Sequence, residues 1–150
     1  METDFKIAEI EIKYKNETPF KDRTLINSSA SAYQMLLKIF SEDTIGYREE
    51  FKVVYLDHAL HVVAWNTISM GGSTSTTVDI KMIIQGALLT NAESILLAHN
   101  HPSGYLKAST QDKMATENIV KAAKLFNIKV LDHLIVTNED YYSFADNGEL

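Results

Sequence analysis

The sequence predicts an α/β (α+β) fold in which one mixed β-sheet is sandwiched by helices. Two pairs of apolar segments, at 50–57 with 60–69 and at 128–137 with 141–145, are separated by short turns and so predict antiparallel hairpins. Segments with helical periodicity lie between other strands, which predicts crossover connections. The 150 residues are 45% hydrophobic, enough for one domain, expected over residues 1–150, that buries about 68–70% of its unfolded-chain surface.

The N-terminal part of the chain is predicted to contain a strand, a loop and a helix. Apolar residues alternate over residues 5–14, with a change of parity in the middle that indicates a bulge or a bend. Residues 16–27 are polar and contain Pro19, so we expect a loop. Ser28 or Ser29 then caps a helix. The apolar residues of this helix follow the i, i+3, i+4, i+7 pattern of one face: Tyr33, Leu36, Leu37 and Phe40.

The middle of the chain is predicted to form a hairpin, a loop and a second helix. The turn Asp57-His58-Ala59 joins the two strands of the hairpin, and we expect His58 and His61 to be exposed beside it. Trp65 lies at an apolar position of the second strand and is assigned to the core. A run of Gly, Ser and Thr over residues 71–77 predicts a loop, after which Asp79 begins a helix.

The C-terminal part is predicted to contain a strand, a loop, a long helix and a closing hairpin. Residues 94–99 form a short apolar strand. Pro102 and Gly104 predict the loop that follows. Ser109 opens a helix that extends to about residue 126, and Asn127 ends it.

Composition and charge exclude several classes of protein. The absence of cysteine excludes a disulfide scaffold, thiol catalysis and a thiolate metal site. The chain has 14 Lys and Arg against 20 Asp and Glu, a net charge of −6, so we expect no direct DNA binding. No apolar run is long enough for a membrane span, and no basic segment at the N-terminus leads into an apolar one. We therefore expect a cytoplasmic protein without a membrane partner.

A predicted metal site lies where the strand at 94–99 ends. His99 and His101 are two residues apart and so point to one side of an extended segment. Asp112, in the first turn of the next helix, offers a third ligand. Two imidazoles and one carboxylate suit Zn²⁺ and leave a fourth position for water. The simpler alternative is a capping box made by Ser109 and Asp112, which is compatible with metal binding.

These residues resemble a known family. The segment from His99 to Asp112 resembles the JAMM motif of JAB/MPN-domain metalloproteases. It consists of His99-Asn-His101-Pro102, with seven residues between His101 and Ser109, and of Ser109-x-x-Asp112. Three longer segments look like the RadC-like branch of this family: His99-Asn-His-Pro-Ser-Gly104, Val130-Leu-Asp-His133 and Tyr142-Ser-Phe-Ala145. The resemblance covers roughly residues 28–150, leaving 1–27 as an N-terminal strand and loop. It implies a JAB/MPN (cytidine-deaminase-like) architecture.

The resemblance also implies a role for each matched residue. His99, His101 and Asp112 match zinc ligands, and Ser109 matches a serine that steadies the tetrahedral intermediate. The family uses a glutamate at the start of an upstream strand as general base, and Glu50 is the residue taken to match it. Its neighbour Glu49 is an alternative position for this base. A second alternative is that Glu50 is only an ordinary charged residue at the start of a strand.

Other residues near the motif have simpler interpretations. His133 and Asp132 are expected to be hydrogen-bonded within the sheet, with a role for His133 behind the metal ligands as an alternative. Many RadC-like proteins carry an acidic residue before a Gly-Thr ahead of the second helix, whereas this chain has Asn66-Thr67 and then Gly71-Gly72. If the working carboxylate belonged to that segment, the chain would lack it.

The resemblance supports two functions of different classes. The first is a zinc-dependent hydrolase of amide bonds, acting on a peptide or isopeptide substrate. The second is a non-catalytic JAB-fold binding module of the RadC type, associated with DNA repair or mobile elements. DNA hydrolysis is a third and weaker alternative, because only one metal and no phosphate clamp are implied. The sequence leaves the formation of a homo-oligomer open.

Overall fold

The computed structural model of the protein describes residues 7–71 and 77–150. Within these parts of the chain, a short 3₁₀ helix at Phe20–Asp22 precedes nine further elements. In chain order these are α1 (Ser29–Ile39), α2 (Glu42–Ile45), β1 (Glu49–Leu56), β2 (Val62–Gly71), α3 (Ile80–Leu89), β3 (Ser94–Asn100), α4 (Thr110–Lys124), β4 (Lys129–Val136) and β5 (Tyr141–Ser143).

The five strands form one mixed sheet in the order β2-β1-β3-β4-β5. β1 pairs antiparallel with both β2 and β3, and β4 pairs antiparallel with β5. β3 and β4 run parallel, with α4 as the crossover between them. The predicted mixed sheet with hairpins and crossovers is therefore confirmed.

Helices cover both faces of this sheet. Alternation along β1 sends Val53 and Tyr55 to the face covered by α3 and α4, and Val54 and Leu56 to the face covered by α1. Each of these side chains is at most 1% exposed, and burial of one such side chain contributes about 1.5–3 kcal/mol. The two apolar faces explain why β1 is apolar at every residue from Val53 to Leu56 and why the sheet needs helices on both sides.

The predicted starts of the three long helices agree with the structure. Ser28 caps α1 and Asp79 caps α3, each by accepting a backbone N–H from the first turn. Ser109 caps α4 in the same way. Asn127 has a φ of 56°, a left-handed conformation that ends the helical path, as its position predicted. The four-residue helix α2 was not predicted, because one turn is too short to show a period.

The predicted strand at the N-terminus is wrong for the residues that the structure describes. Residues 7–14 have no regular structure, and Ile7, Ile10 and Ile12 are 85%, 86% and 69% exposed. Alternating apolar residues are not sufficient for a strand, because the backbone needs a partner edge for its hydrogen bonds. Residues 5 and 6 of that prediction lie outside the described residues, as do residues 72–76 of the predicted Gly/Ser/Thr loop.

Two further predictions fail at β2 and the turn before it. Trp65 is not in the core but 47% exposed, because β2 is an edge strand; its ring lies 5.2 Å from the Lys52 ammonium. His61 is not exposed, since its side chain is 17% accessible and its ring centroid lies 4.4 Å from that of Phe20. His58 is exposed, as predicted.

None of the helices within residues 7–71 and 77–150 combines the length and the apolar character that a membrane span requires.

Candidate metal centre

His99 and His101 lie together at the carboxyl end of β3. This central strand is buried along all seven residues, and His99 itself is 1% exposed. His101 follows directly after the strand, and its side chain points to the same side because the two residues are two positions apart. The Nε2 atoms of the two rings are 2.9 Å apart. The juxtaposition predicted from their spacing is present.

Asp112 reaches the two histidines from the first turn of α4. Its Oδ1 lies 3.4 Å from Nε2 of His99, and its Oδ2 lies 3.6 Å from Nε2 of His101. One potential ligand atom from each of the three residues lies within 4.8 Å of the other two. This group could hold a metal ion.

The predicted capping box is present, and it is compatible with a metal-binding role of Asp112. The Ser109 hydroxyl oxygen accepts the Asp112 backbone N–H at 3.0 Å, and the Ser109 backbone N–H donates to Oδ2 of Asp112 at 2.8 Å. The capping box fixes the carboxylate at the start of α4, from where it faces the histidines. The helix N-terminus also favours a negative charge at this position.

The donor set fits a cation. Nδ1 of His101 is 2.6 Å from the Tyr105 backbone carbonyl, which can only accept, so Nδ1 carries the proton. In a neutral ring Nε2 then presents a lone pair toward His99 and Asp112. Lone pairs and a carboxylate that converge on one point repel each other unless a proton or a metal ion lies between them.

Charge at the cluster favours a cation in the same way. Burial alone would raise the pKa of Asp112, but the ring nitrogens of His101 and His99 beside the carboxylate outweigh it and hold that pKa well below its usual range. The Asp112 carboxylate in turn raises the pKa of His101, and the charge of Glu49 adds to this effect. Asp112 is therefore a carboxylate at neutral pH.

His133 lies directly behind His99 and extends the cluster into the core. Its Nε2 is 2.7 Å from Nδ1 of His99, and its Nδ1 is 2.6 Å from the Thr116 hydroxyl. Complete burial holds the pKa of His133 well below its usual value, so the ring is neutral. The sequence analysis placed His133 within the sheet and left a role behind the metal ligands open, whereas Thr116 was missed. The available signal for Thr116 was its position four residues after Asp112 on the same helix face.

The carboxylate of Glu50, the residue expected to act as general base, pairs with residues other than the three predicted ligands. Its carboxylate accepts hydrogen bonds from Thr44 and Arg48 and lies 2.7 Å from the Lys52 ammonium, with Glu50 and Lys52 both buried. Burial would raise the pKa of Glu50, but the hydrogen bond and charge of Lys52 lower it below its usual value. Glu50 is thus held in a buried ion pair.

Glu49 is the acid that faces the predicted ligands. It lines the pocket of about 230 Å³ that also contains His99, His101 and Asp112. Consecutive residues of a strand point to opposite faces, so the two glutamates cannot both reach this pocket. From the sequence, Glu49 is only the alternative to its neighbour Glu50.

Asn100, which the sequence analysis did not single out, fixes the segment that carries Glu49. Its side-chain oxygen accepts the Glu50 backbone N–H at 2.7 Å, and its amide donates to the carbonyls of Ile45 and Arg48, also at 2.7 Å. Asn100 is completely buried. It therefore ties the start of β1 to the end of β3, where the histidines lie.

A larger cavity adjoins the ligand pocket. It measures about 970 Å³ and shares Glu49, His101 and Ser109 with the smaller pocket. Two exposed tyrosines, Tyr47 and Tyr105, form part of its wall. The three predicted ligands therefore lie beside a space large enough for several residues of an extended chain.

Comparisons with known proteins identify sequences that are similar to this chain. A protein-family model described as the RadC-like JAB domain matches residues 26–149. A UPF0758 protein of Flavobacterium johnsoniae is 38% identical over 123 residues, which are 82% of this chain and 52% of that protein. The UPF0758 protein YfjY of Escherichia coli is 43% identical over 103 residues, 69% of this chain and 64% of that protein. The matched region thus spans between about half and two thirds of these relatives.

Proposed function

Because the chain belongs to the RadC-like JAB domain family, we propose that it is a zinc-dependent hydrolase of peptide or isopeptide amide bonds. The observation that carries this proposal is the convergence of His99, His101 and Asp112 on one point at the edge of a large cavity. Two imidazoles and one carboxylate are the ligands of many catalytic zinc sites and leave a fourth position open. Bound there, zinc would supply Lewis acidity to a water molecule and to the substrate carbonyl.

Glu49 is proposed as the general base in place of Glu50. Its carboxylate lines the ligand pocket, so it can accept the proton of the attacking water at a carboxylate oxygen and deliver it to the leaving nitrogen. Glu50 is unsuited to this role, because its carboxylate is buried against Lys52.

Ser109 is proposed to stabilise the oxyanion that forms on the substrate carbonyl. Its hydroxyl oxygen accepts the Asp112 N–H and is thereby oriented, and the hydroxyl proton can be donated to a substrate oxygen. The side chain is exposed and lines both the ligand pocket and the larger cavity. Ser109 therefore has both the access and the donor that this role requires.

Metal content tests the proposal most directly. We expect about one zinc ion per chain in protein purified without chelator or metal-affinity resin, measured by mass spectrometry. Asp112→Asn keeps an oxygen acceptor for the Ser109 N–H but removes the charged ligand, and should lose the zinc. Asp79→Asn is the matched control, because Asp79 caps α3 in the same manner away from the site.

The outcomes separate the candidate functions. Failure of the wild-type chain to take up added zinc, or full zinc content in Asp112→Asn, would reject the metal site. Zinc-loaded protein that cleaves fluorogenic peptide or isopeptide amides supports the hydrolase. Zinc binding with no cleavage across such a panel would favour the RadC-type binding module instead.

A further inference from the structure

A continuous chain of hydrogen bonds joins His99 to the backbone of Asp112 through the core. Nδ1 of His99 meets Nε2 of His133 at 2.7 Å, and Nδ1 of His133 meets the Thr116 hydroxyl at 2.6 Å. The Thr116 hydroxyl in turn donates to the Asp112 backbone carbonyl at 2.7 Å. His133 and Thr116 are 1% and 2% exposed, so the chain is shielded from water.

Along this chain from His99 to the Asp112 carbonyl, only one direction of donation satisfies the three contacts. The Asp112 carbonyl can only accept, so the single proton of the Thr116 hydroxyl is committed to it. The hydroxyl oxygen must then accept from Nδ1–H of His133. A neutral His133 with its proton on Nδ1 has a lone pair on Nε2, and this nitrogen can only accept from Nδ1–H of His99.

We propose that Thr116 and His133 are positioning residues that fix His99 in the tautomer protonated on Nδ1. The Nε2 lone pair of His99 is thereby directed toward His101 and Asp112, as ligation of a metal requires. This inference rests on the proposed metal site, but the tautomer of His133 follows from the hydrogen bonds alone.

The two histidines are oriented by different means. His101 lies at the exposed end of the site and donates Nδ1–H to the Tyr105 backbone carbonyl at 2.6 Å. His99 lies inside the sheet, where neighbouring strands use the backbone carbonyls for pairing. The buried His133 ring therefore accepts the Nδ1–H of His99, as the Tyr105 carbonyl accepts the Nδ1–H of His101.

Packing against two aromatic rings fixes the orientation of the His133 ring beside His99. Its ring stacks on Phe144 with a centroid distance of 4.6 Å, and the ring of Phe51 meets it edge-on at 5.4 Å. β3 and β4 pair with Leu97 opposite His133, so His133 is the diagonal neighbour of His99 on the same face. Because the chain ends on the carbonyl of Asp112, it also ties the His99 tautomer to the helix turn that carries the third ligand.

The proposal is tested with Thr116→Val, which keeps the shape of the side chain and removes the acceptor for His133. Zinc affinity, measured by competition with a chromophoric chelator, should fall roughly 10- to 100-fold. Thr116→Ser should restore it to near the wild-type value. Thr90→Val is the matched control, because the Thr90 hydroxyl also donates to a carbonyl four residues earlier, Gly86, but contacts no ligand.

Nitrogen-15 NMR of the histidine rings supplies a readout that altered packing alone would not move. In the metal-free wild-type protein, His133 should be protonated on Nδ1 and unprotonated on Nε2. In the zinc-loaded protein, His99 should show the same pattern. Thr116→Val should shift the His133 nitrogen signals away from this single tautomer, and Thr116→Ser should not.

Three results would overturn the proposal: a wild-type His133 protonated on Nε2, a folded Thr116→Val with unchanged zinc affinity and ring signals, or an equal loss of affinity in Thr90→Val. If the wild-type chain bound no zinc, the proposed function would fail. The His133 spectra of the metal-free protein would still decide the tautomer.

Discussion

At the scale of single residues, Glu49 and Glu50 illustrate how one position decides a role. The two acids are chemically alike and adjacent, yet β1 sends Glu49 into the ligand pocket and Glu50 into an ion pair with Lys52. Glu49 is therefore the acid that suits the proposed role of general base, whereas Glu50 is held in the ion pair. A shift of one residue along β1 places the acid on the opposite face of the sheet, because side chains alternate between the two faces.

Glutamine at each position should separate these roles. Glu49→Gln should leave zinc content unchanged and lower kcat by about 10²- to 10⁴-fold, because it removes a general base. Glu50→Gln leaves Lys52 buried without its charged partner, and should lower the free energy of unfolding by about 3–5 kcal/mol. The measurements are initial rates on a cleaved amide and urea denaturation of both variants. If folded Glu50→Gln lost as much activity as Glu49→Gln, Glu50 would have to be reassigned as the general base.

At the scale of elements, the contact of α3 with β1 depends on a glycine. The backbone of α3 approaches β1 so closely at Gly86 that a Cβ atom there would overlap the hydroxyl of Tyr55. Tyr55 is 1% exposed and donates its hydroxyl to the Ile83 carbonyl at 3.3 Å. The ring therefore cannot move aside without losing its hydrogen bond. Glycine at this position is explained by packing.

Alanine at Gly86 should therefore destabilise the protein although alanine favours helices. We expect the free energy of unfolding to fall by about 1–3 kcal/mol, the usual cost of overpacking a core. Gly46→Ala is the matched control, since a Cβ atom at Gly46 would have no atoms within 4 Å beyond those of its chain neighbours, and its effect should stay within about 0.5 kcal/mol. Chemical denaturation of both variants measures the difference. A neutral Gly86→Ala would show that α3 can shift away from β1.

At the scale of the whole molecule, two acids stabilise the two ends of the central strand β1. Glu50 at its start is paired with Lys52, and Asp57 just after its end accepts the backbone N–H groups of Ala59 and His61. Burial opposes ionisation of Asp57, but these hydrogen bonds lower its pKa below the usual value. The pKa of Glu50 is lowered in the same sense by Lys52. Both acids therefore bind protons less readily in the folded state than in the unfolded one.

Stability should consequently fall on acidification. A lowered folded-state pKa contributes stability that is complete above the unfolded-state value, 4.5 for Glu50 and 3.8 for Asp57, and is lost as the pH falls below it. We expect the free energy of unfolding to decrease between about pH 6 and pH 3, and to decrease less in Asp57→Asn and Glu50→Gln. Urea denaturation across this range measures both slopes. Asp132 acts in the opposite sense, because burial raises its pKa.

Much of the fold could be predicted because the signals are local. The caps at Ser28, Asp79 and Ser109 and the left-handed stop at Asn127 depend on residues a few positions apart. The exposure of Trp65 depends instead on β2 being an edge strand, which is a property of strand order. Residues 7–14 show the same limitation, since their alternation is real but no strand edge pairs with them within the described residues.

The sequence by itself determined the three candidate ligands, because the spacing of His99 and His101 in an extended segment and of Asp112 in a capped first turn dictates their directions. Only the tertiary structure decided which glutamate faces them, because a single-residue change of register reverses the face of a strand. It alone brought His133 and Thr116 behind His99, since these residues lie on different elements and meet only when β4 and α4 pack against β3. Spacing along the chain fixes the direction of a side chain, whereas the packing of distant elements determines which residues that side chain contacts.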